Sequence, residues 1–378
     1  MPKTYDTIII GAGIAGATAA YTLIKENQKV LVLDKNGIAS GGSGAAGAFV
    51  SPKIGKGSAL QTLTNEAFVF AKEFYLSTCP EHFHQTGVIR IPKDEADAQK
   101  FSEYEKFNDT VYENYSKEKL QSLGIDVDFD SFYFPDAGDC DAPKVCEFLL
   151  RGIEVQICNV EKLSFSDGLW VCVPTQESGN ETSMVYQAKN IVLATGYESN
   201  LTDLRYMGIR GTWGTRGDFS SKLALEVSMH QSMSVGANVG GIIKLGATHE
   251  KEVKEVVPCS NEQALSLKEK ASSLIETADL EIVETYCGMR AGSKDYFPLV
   301  GKVIDAPMML DTYPAIVRGT KPELEYVENL YVLNGLGGRG FVFAPLMAKM
   351  LAEHMVAGKE IEKRVNPDRL FLKWCRKL

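Results

Sequence analysis

The chain has 378 residues, 44% hydrophobic and 24% charged, the composition of a globular protein with room for two domains. A formal net charge of −9 excludes a globally basic nucleic-acid binder and leaves room only for a local basic patch. No run of about 18 apolar residues suggests a membrane span, and MPKTYD leads straight into a strand, so a cytoplasmic protein is expected. Eight cysteines without CxxC spacing read as reduced thiols, and five scattered histidines suggest no metal site.

In chain order, Thr7–Ile10 is a short β-branched run that reads as a buried strand. Gly11-Ala-Gly13-Ile-Ala-Gly16 follows, then a helical pattern over Ile14–Lys25 and a second apolar strand, Lys29–Leu33, ending in Asp34. This is the dinucleotide-binding fingerprint in its required context. Gly11 allows the tight turn, Gly13 a close approach to pyrophosphate, and Gly16 close helix packing. The amides at Ile14 and Ala15 open the helix, where pyrophosphate would sit. Asp34, 23 residues after Gly11, is placed for ribose hydroxyls, with Lys35 beside it.

The small-residue loop Ala39–Ala48 leads into a helical segment, Ala59–Tyr75. Such a loop suits close approach to a flat ligand, which makes Ser40, Gly41, Ala46 and Gly47 candidates. Residues 81–137 read as an insertion: a strand at Gly87–Ile91, charged helices at Asp94–Tyr115 and Lys117–Leu123, and aromatic Phe132–Phe134. Strands at Gly152–Cys158, Leu169–Val173 and Met184–Gln187 read as a meander, and Lys189–Ala194 as a buried strand ending in Thr195-Gly196. Residues 201–284 mix strands with one long helix, Asn261–Ala278.

Strand Asn329–Leu333 runs into Asn334-Gly-Leu-Gly-Gly-Arg-Gly340 and a helix from Phe341 to about Ala357. Gly335, Gly337, Gly338 and Gly340 formally repeat the fingerprint, but no strand ending in an acid follows, so no second nucleotide is expected. The turn instead aims the helix N-terminus at an anionic ring, as in a reduced flavin.

Together these stretches resemble the D-amino acid oxidase superfamily of FAD-dependent amine oxidases. The resemblance rests on Gly11–Gly16, Ser40–Gly47, IVLATG at Ile191–Gly196, GMR at Gly288–Arg290 and Gly335–Pro345. It implies an α/β fold: a doubly wound FAD-binding domain interleaved with an antiparallel-sheet α+β substrate domain. The expected FAD-binding parts are 1–80, 138–204 and 284–378, with the substrate domain at 81–137 and 205–283. It also implies non-covalent FAD, a backbone contact from Val160 to the adenine, and cofactor contacts from Ala194, Thr195 and Gly196. Within the superfamily, SALQTLTNEAFVFAKEFY, GMRAGSKDYFPLVG and GLGGRGFVFAPLMAKMLAE are most similar to the FAD-dependent domain of the MnmC family of tRNA wobble-uridine modification enzymes. That similarity implies oxidation of carboxymethylaminomethyl-uridine to aminomethyl-uridine with release of glyoxylate.

Arg290 matches the arginine that grips the substrate carboxylate in the family, a task suited to a guanidinium fork. A surface salt bridge is the plainer alternative. Arg339, among four glycines, would face the flavin, or bind a phosphate or backbone instead. Ile242–His249 resembles a sarcosine-oxidase strand in which Lys244 would stand above the flavin and promote reaction with oxygen. Strand alternation would equally place Lys244 in solvent. Val342 stands where sarcosine oxidases carry a carboxylate-binding lysine, and Met233-Ser234 where glycine oxidase carries a tyrosine. Cys287 does not match the family's flavin-attachment cysteine and reads as a buried thiol. Lys53, Lys56 and the tail Arg369–Lys377 are candidates for phosphate contacts of a tRNA anticodon loop, or a solvated surface. The rivals are a small-molecule oxidase of glycine, sarcosine or a related amine, and a flavin-binding protein without turnover.

Overall fold

The computed structural model describes residues 3–175, 185–198 and 200–378. Strand Thr4–Ile10 is central, and its Ile8, Ile9 and Ile10 are buried, as befits β-branched residues covered on both faces. It runs parallel to Val30–Asp34 on one side and to Tyr186–Leu193 on the other. Glu154–Ile157 extends the parallel set beyond Val30–Asp34, and Tyr326–Asn334 pairs parallel with Tyr186–Leu193. Val160–Ser166 and Leu169–Pro174 add an antiparallel edge. Leu299–Ile304 completes the eight-stranded sheet by pairing antiparallel with Tyr326–Asn334.

A second eight-stranded sheet runs, in order, Glu281–Gly292, Arg210–Ser220, Ile242–Gly246, Ser234–Val235, Ser228–His230, Val88–Arg90, Ser131–Phe134 and Glu113–Tyr115. All its pairs are antiparallel except that between Ser228–His230 and Val88–Arg90. The chain therefore leaves the first sheet twice to build the second, which is the interleaving expected from the sequence. Glu281–Gly292 pairs with Arg210–Ser220 along its whole length, so it crosses the expected limit at 284 and puts Arg290 on the second sheet.

Several local expectations change. The helix expected over Asn261–Ala278 stops at Ala271, because the Ser272 and Ser273 hydroxyls bond back to the Glu269 and Lys270 carbonyls. The helix expected over Asp94–Tyr115 spans only Glu95–Tyr104. Glu113–Tyr115 is a strand, held by pairing with Ser131–Phe134 and by stacking of Tyr115 on Tyr133. Glu154–Ile157 belongs to the parallel sheet, and the unforeseen strand Val160–Ser166 takes its place in the meander. The strands expected at Met184–Gln187 and Lys189–Ala194 are one, Tyr186–Leu193; Met184 lies outside the described residues. The polar Lys189-Asn190 interruption is absorbed by Asp6, whose carboxylate pairs with Lys189 and whose carbonyl accepts from Asn190.

The helical stretch Gly337–Ala357, which contains helix Gly340–Ala357, is long and apolar enough to cross a membrane by length and composition. Its buried face, from Phe341 through Met347 to Leu351, nevertheless packs against helices Ile14–Lys25 and Ala59–Thr78. Pro345 cannot donate to the Phe341 carbonyl one turn earlier. The buried Tyr75 hydroxyl supplies that bond instead, at 2.9 Å. Tyr75→Phe is expected to strand this carbonyl and lower stability by about 1–3 kcal/mol, measurable by urea denaturation.

Candidate active site

A cavity of about 1090 Å³ opens between the two sheets. One part is lined by Gly11, Gly13, Ile14, Ala15, Asp34 and Lys35, where the central strands end and helix Ile14–Lys25 begins. A Cβ on Gly11 would lie 2.2 Å from the Ala194 carbonyl oxygen, so only glycine fits the turn. Gly16 does not line the cavity. Its absent Cβ would meet the Gly11 carbonyl at 1.8 Å, so it serves helix packing. Asp34 accepts from the Ala12 amide at 2.7 Å through Oδ2 and from the Asn36 and Gly37 amides and the Ser40 hydroxyl through Oδ1, which fixes its carboxylate at the cavity edge and leaves room for one further donor on Oδ2. Lys35 pairs with Glu198.

Ser40, Gly41, Ala46, Gly47, Val160, Ala194, Thr195 and Gly196 also line the cavity. The Thr195 hydroxyl is buried there without a hydrogen-bond partner among the described residues. A bound group that supplies a polar atom at this point would satisfy it. Ser43, not foreseen, accepts from the Ile14 amide at 2.9 Å and holds the small-residue loop over the helix N-terminus. Arg216 was also missed. It is buried, donates to the Gly44 and Ala46 carbonyls, pairs with Asp218, and lies 4.0 Å from the Tyr286 ring centre. It thereby fastens the loop to the second sheet.

The remaining glycine turn joins the same cavity through Gly335, Gly337, Gly338, Arg339, Gly340 and Phe341. Buried Asn334 holds it by donating to the Gly196 carbonyl at 2.9 Å and accepting from the Gly335 amide at 2.7 Å. The N-termini of two long helices, Ile14–Lys25 and Gly340–Ala357, thus face one space; neither is capped by the side chain of its own N-cap residue, although Ser43 takes the Ile14 amide of the first. This donor-rich cradle, with the orphaned Thr195 hydroxyl, fits a dinucleotide with a ring that takes up negative charge.

Arg290 reaches the cavity from strand Glu281–Gly292. Its guanidinium lies on Gly214, where a Cβ would come within 1.6 Å of Nη2. Nη2 donates to the Thr248 carbonyl, and Nη1 donates to His249 Nε2 at 2.9 Å. His249 accepts that bond only as the neutral tautomer, whose Nδ1 donates to the Ala247 carbonyl at 3.1 Å. Burial and the adjacent Arg290 both push the His249 pKa down, which keeps it neutral. Arg290 itself has no carboxylate partner among the described residues, and a guanidinium has five donors, so donors remain for a ligand.

Lys244 does not line the cavity. Its ammonium donates to buried Asp139 at 2.9 Å and to the Cys140 carbonyl at 3.1 Å. Cys287 is not a free thiol: it is disulfide-bonded to Cys259, with Cα atoms 5.5 Å apart. That bond ties the segment before Asn261 to the strand carrying Arg290. The remaining cysteines, Cys79, Cys140, Cys146, Cys158, Cys172 and Cys375, are free and buried.

A dinucleotide cradle facing an antiparallel sheet with an inward arginine defines a cofactor-dependent oxidoreductase. Residues 6–354 match the family of FAD dependent oxidoreductases abbreviated DAO, and the chain belongs to that family. It is an FAD-dependent oxidoreductase of the group that acts on CH–NH bonds. The fold is similar to that of glycine oxidase from Geobacillus kaustophilus, with a TM-score of 0.74, 18% identity, and coverage of 95% of this chain and 96% of that one. L-proline dehydrogenase from P. horikoshii gives a TM-score of 0.73 at 17% identity, covering 98% of each chain. In sequence, the chain is 25% identical over 419 residues to the tRNA 5-methylaminomethyl-2-thiouridine biosynthesis bifunctional protein MnmC of Shewanella amazonensis, covering 100% of this chain and 60% of that protein. The MnmC of Pseudomonas entomophila is 23% identical over 407 residues, covering 99% and 61%. The chain thus spans about 60% of the length of the curated relatives it matches.

Proposed function

We propose that this chain oxidises the secondary amine of carboxymethylaminomethyl-uridine at the tRNA wobble position. The observation that carries this reading is the similarity to MnmC proteins along the whole chain. Arg290 grips the carboxylate and holds the adjacent C–H bond for transfer. Bound FAD supplies the acceptor for two electrons. The amine loses a hydride from carbon and a proton from nitrogen, and water hydrolyses the resulting imine to aminomethyl-uridine and glyoxylate. The chain's own residues bind, orient and exclude solvent, and no catalytic triad is needed. A cytoplasmic location goes with this substrate. FAD is held without a covalent bond; heat-denatured protein is expected to release all its flavin, and flavin left on the polypeptide would contradict this.

A local basic patch supports the tRNA reading despite the acidic whole. Exposed Lys294, just beyond Arg290, has its pKa pushed down by neighbouring Lys377, then Arg210 and Lys373. Of the proposed tail, Arg369 is committed to Asp295, while Lys373, Arg376 and Lys377 are exposed. Replacing Lys294, Lys373 and Lys377 with glutamine is expected to flatten the salt dependence of tRNA turnover by roughly one to two units of log–log slope. An unchanged slope would remove the patch from the RNA interface. The rival, oxidation of a free amine such as sarcosine, is favoured by the net charge of −9. Mass spectrometry of wobble nucleosides from a strain lacking the protein separates the two: accumulated carboxymethylaminomethyl-uridine supports the proposal, and an unchanged nucleoside profile opposes it.

A further inference from the structure

Lys53, Arg90 and Arg339 reach the cavity from three separate elements. Arg90 ends strand Val88–Arg90, and four strands of the second sheet intervene between it and the strand of Arg290. Lys53 follows strand Phe49–Val50, and its amide is held by Asn65 of helix Ala59–Thr78 at 2.8 Å. Arg339 immediately precedes helix Gly340–Ala357. His230, the register partner of Arg90, lines the same wall and shares a hydrogen bond with Ser234 at 2.8 Å.

All three cations are half-buried, and among the described residues none of their charged ends has an ion-pair or hydrogen-bond partner. Burial lowers the pKa of each. Arg339 further lowers that of Arg90, and Arg339 and Arg90 further lower that of Lys53. Asp97 opposes this at Arg90, but only as the weakest of the three influences on it. Burial above all, then Arg90 and Arg339, hold His230 neutral, so it adds no fourth charge. Three like charges gathered on one part of the cavity, with no carboxylate paired to them among the described residues, raise one another's energy, and an anionic ligand group would reverse that.

We propose that Lys53, Arg90 and Arg339 form a second anion subsite, so that the substrate carries two anionic groups, one for Arg290 and one for this cluster. The proposal rests on the reading of Arg290 as the carboxylate clamp. In a tRNA substrate the second group is a backbone phosphodiester; in a small amine it is a second carboxylate or a phosphate. Recognition at two separated points fixes the amine between them and discriminates against monoanionic amines such as sarcosine.

The test uses the FAD-loaded protein and unreactive competitors, with binding read from changes in flavin absorbance. Glycolate supplies one carboxylate, the series succinate to adipate two, phosphoglycolate a carboxylate and a phosphate, and an unmodified anticodon-loop oligonucleotide the phosphodiester. At least one two-anion probe is expected to bind about tenfold or more tighter than glycolate. Arg90→Gln and Lys53→Met should each erase most of that advantage while shifting glycolate affinity less than about threefold. Whichever probe shows the cluster-dependent gain identifies the source of the second anion. Having two variants in different elements, each checked for flavin retention, guards against misfolding of one. No advantage for any probe, or an advantage that survives both replacements, overturns the proposal. Loss of glycolate binding in Arg290→Leu tests the clamp separately, so the two readings fail independently.

Discussion

Arg290→Leu is expected to keep its fold and flavin while kcat/KM for carboxylated amines falls by about 10²-fold or more, the loss of about 3 kcal/mol of charged hydrogen bonding. The guanidinium is held in place by the Thr248 carbonyl and neutral His249, so its remaining donors meet a carboxylate without reorganising. Gly214→Ala should reproduce much of the loss, because the added Cβ would occupy the place of Nη2. Steady-state kinetics on an amine with and without its carboxylate checks this. The carboxylate's advantage should vanish in both variants, and unchanged kinetics would show that Arg290 is not the clamp.

Lys244→Met should cost about 3–5 kcal/mol of stability, because it leaves the Asp139 carboxylate buried and without its cation. Burial works to raise the Asp139 pKa, but His84 and Lys244 outweigh it and hold the value below the ordinary one. A lowered carboxyl pKa contributes stability that is present above the unfolded value and is lost as pH falls through the folded one. The deficit of the variant should therefore be largest near neutrality and shrink on acidification, as Asp139 takes up a proton. Adding Asp139→Leu should recover part of it. Denaturant titrations across pH measure this. If Lys244 instead promoted reaction with oxygen, the replacement would slow the reoxidation of reduced flavin and leave stability alone.

The residues legible in the sequence are those whose role is local. Gly11, Gly13 and Asp34 lie within one strand–turn–helix–strand unit, where spacing alone fixes geometry. The turn at Gly335–Gly340 was legible from its glycines and the helix after it, and Arg290 through resemblance. Lys244 was not, because its partner Asp139 lies 105 residues away and strand alternation leaves two faces open. Cys259 and Cys287 meet only once the segment before Asn261 folds back on the strand of Arg290. Lys53 was legible only as one of several candidates for a phosphate contact, and Arg90 looked like an ordinary strand position. Their common site arises from pairing of Val88–Arg90 with Ser228–His230 and from the packing of helix Ala59–Thr78. Tyr75 and Pro345 were both inside segments that carry the resemblance, yet the bond linking Tyr75 to the carbonyl that Pro345 leaves free is visible only in three dimensions.

The most direct test is steady-state oxidation by the FAD-loaded protein of tRNA bearing carboxymethylaminomethyl-uridine, and of sarcosine, across a salt series. Nucleoside mass spectrometry and glyoxylate release serve as readouts. The predicted result is conversion to aminomethyl-uridine with matching glyoxylate, weakening steeply as salt rises, and poor turnover of sarcosine throughout. Efficient sarcosine oxidation with no tRNA product at any salt would contradict it.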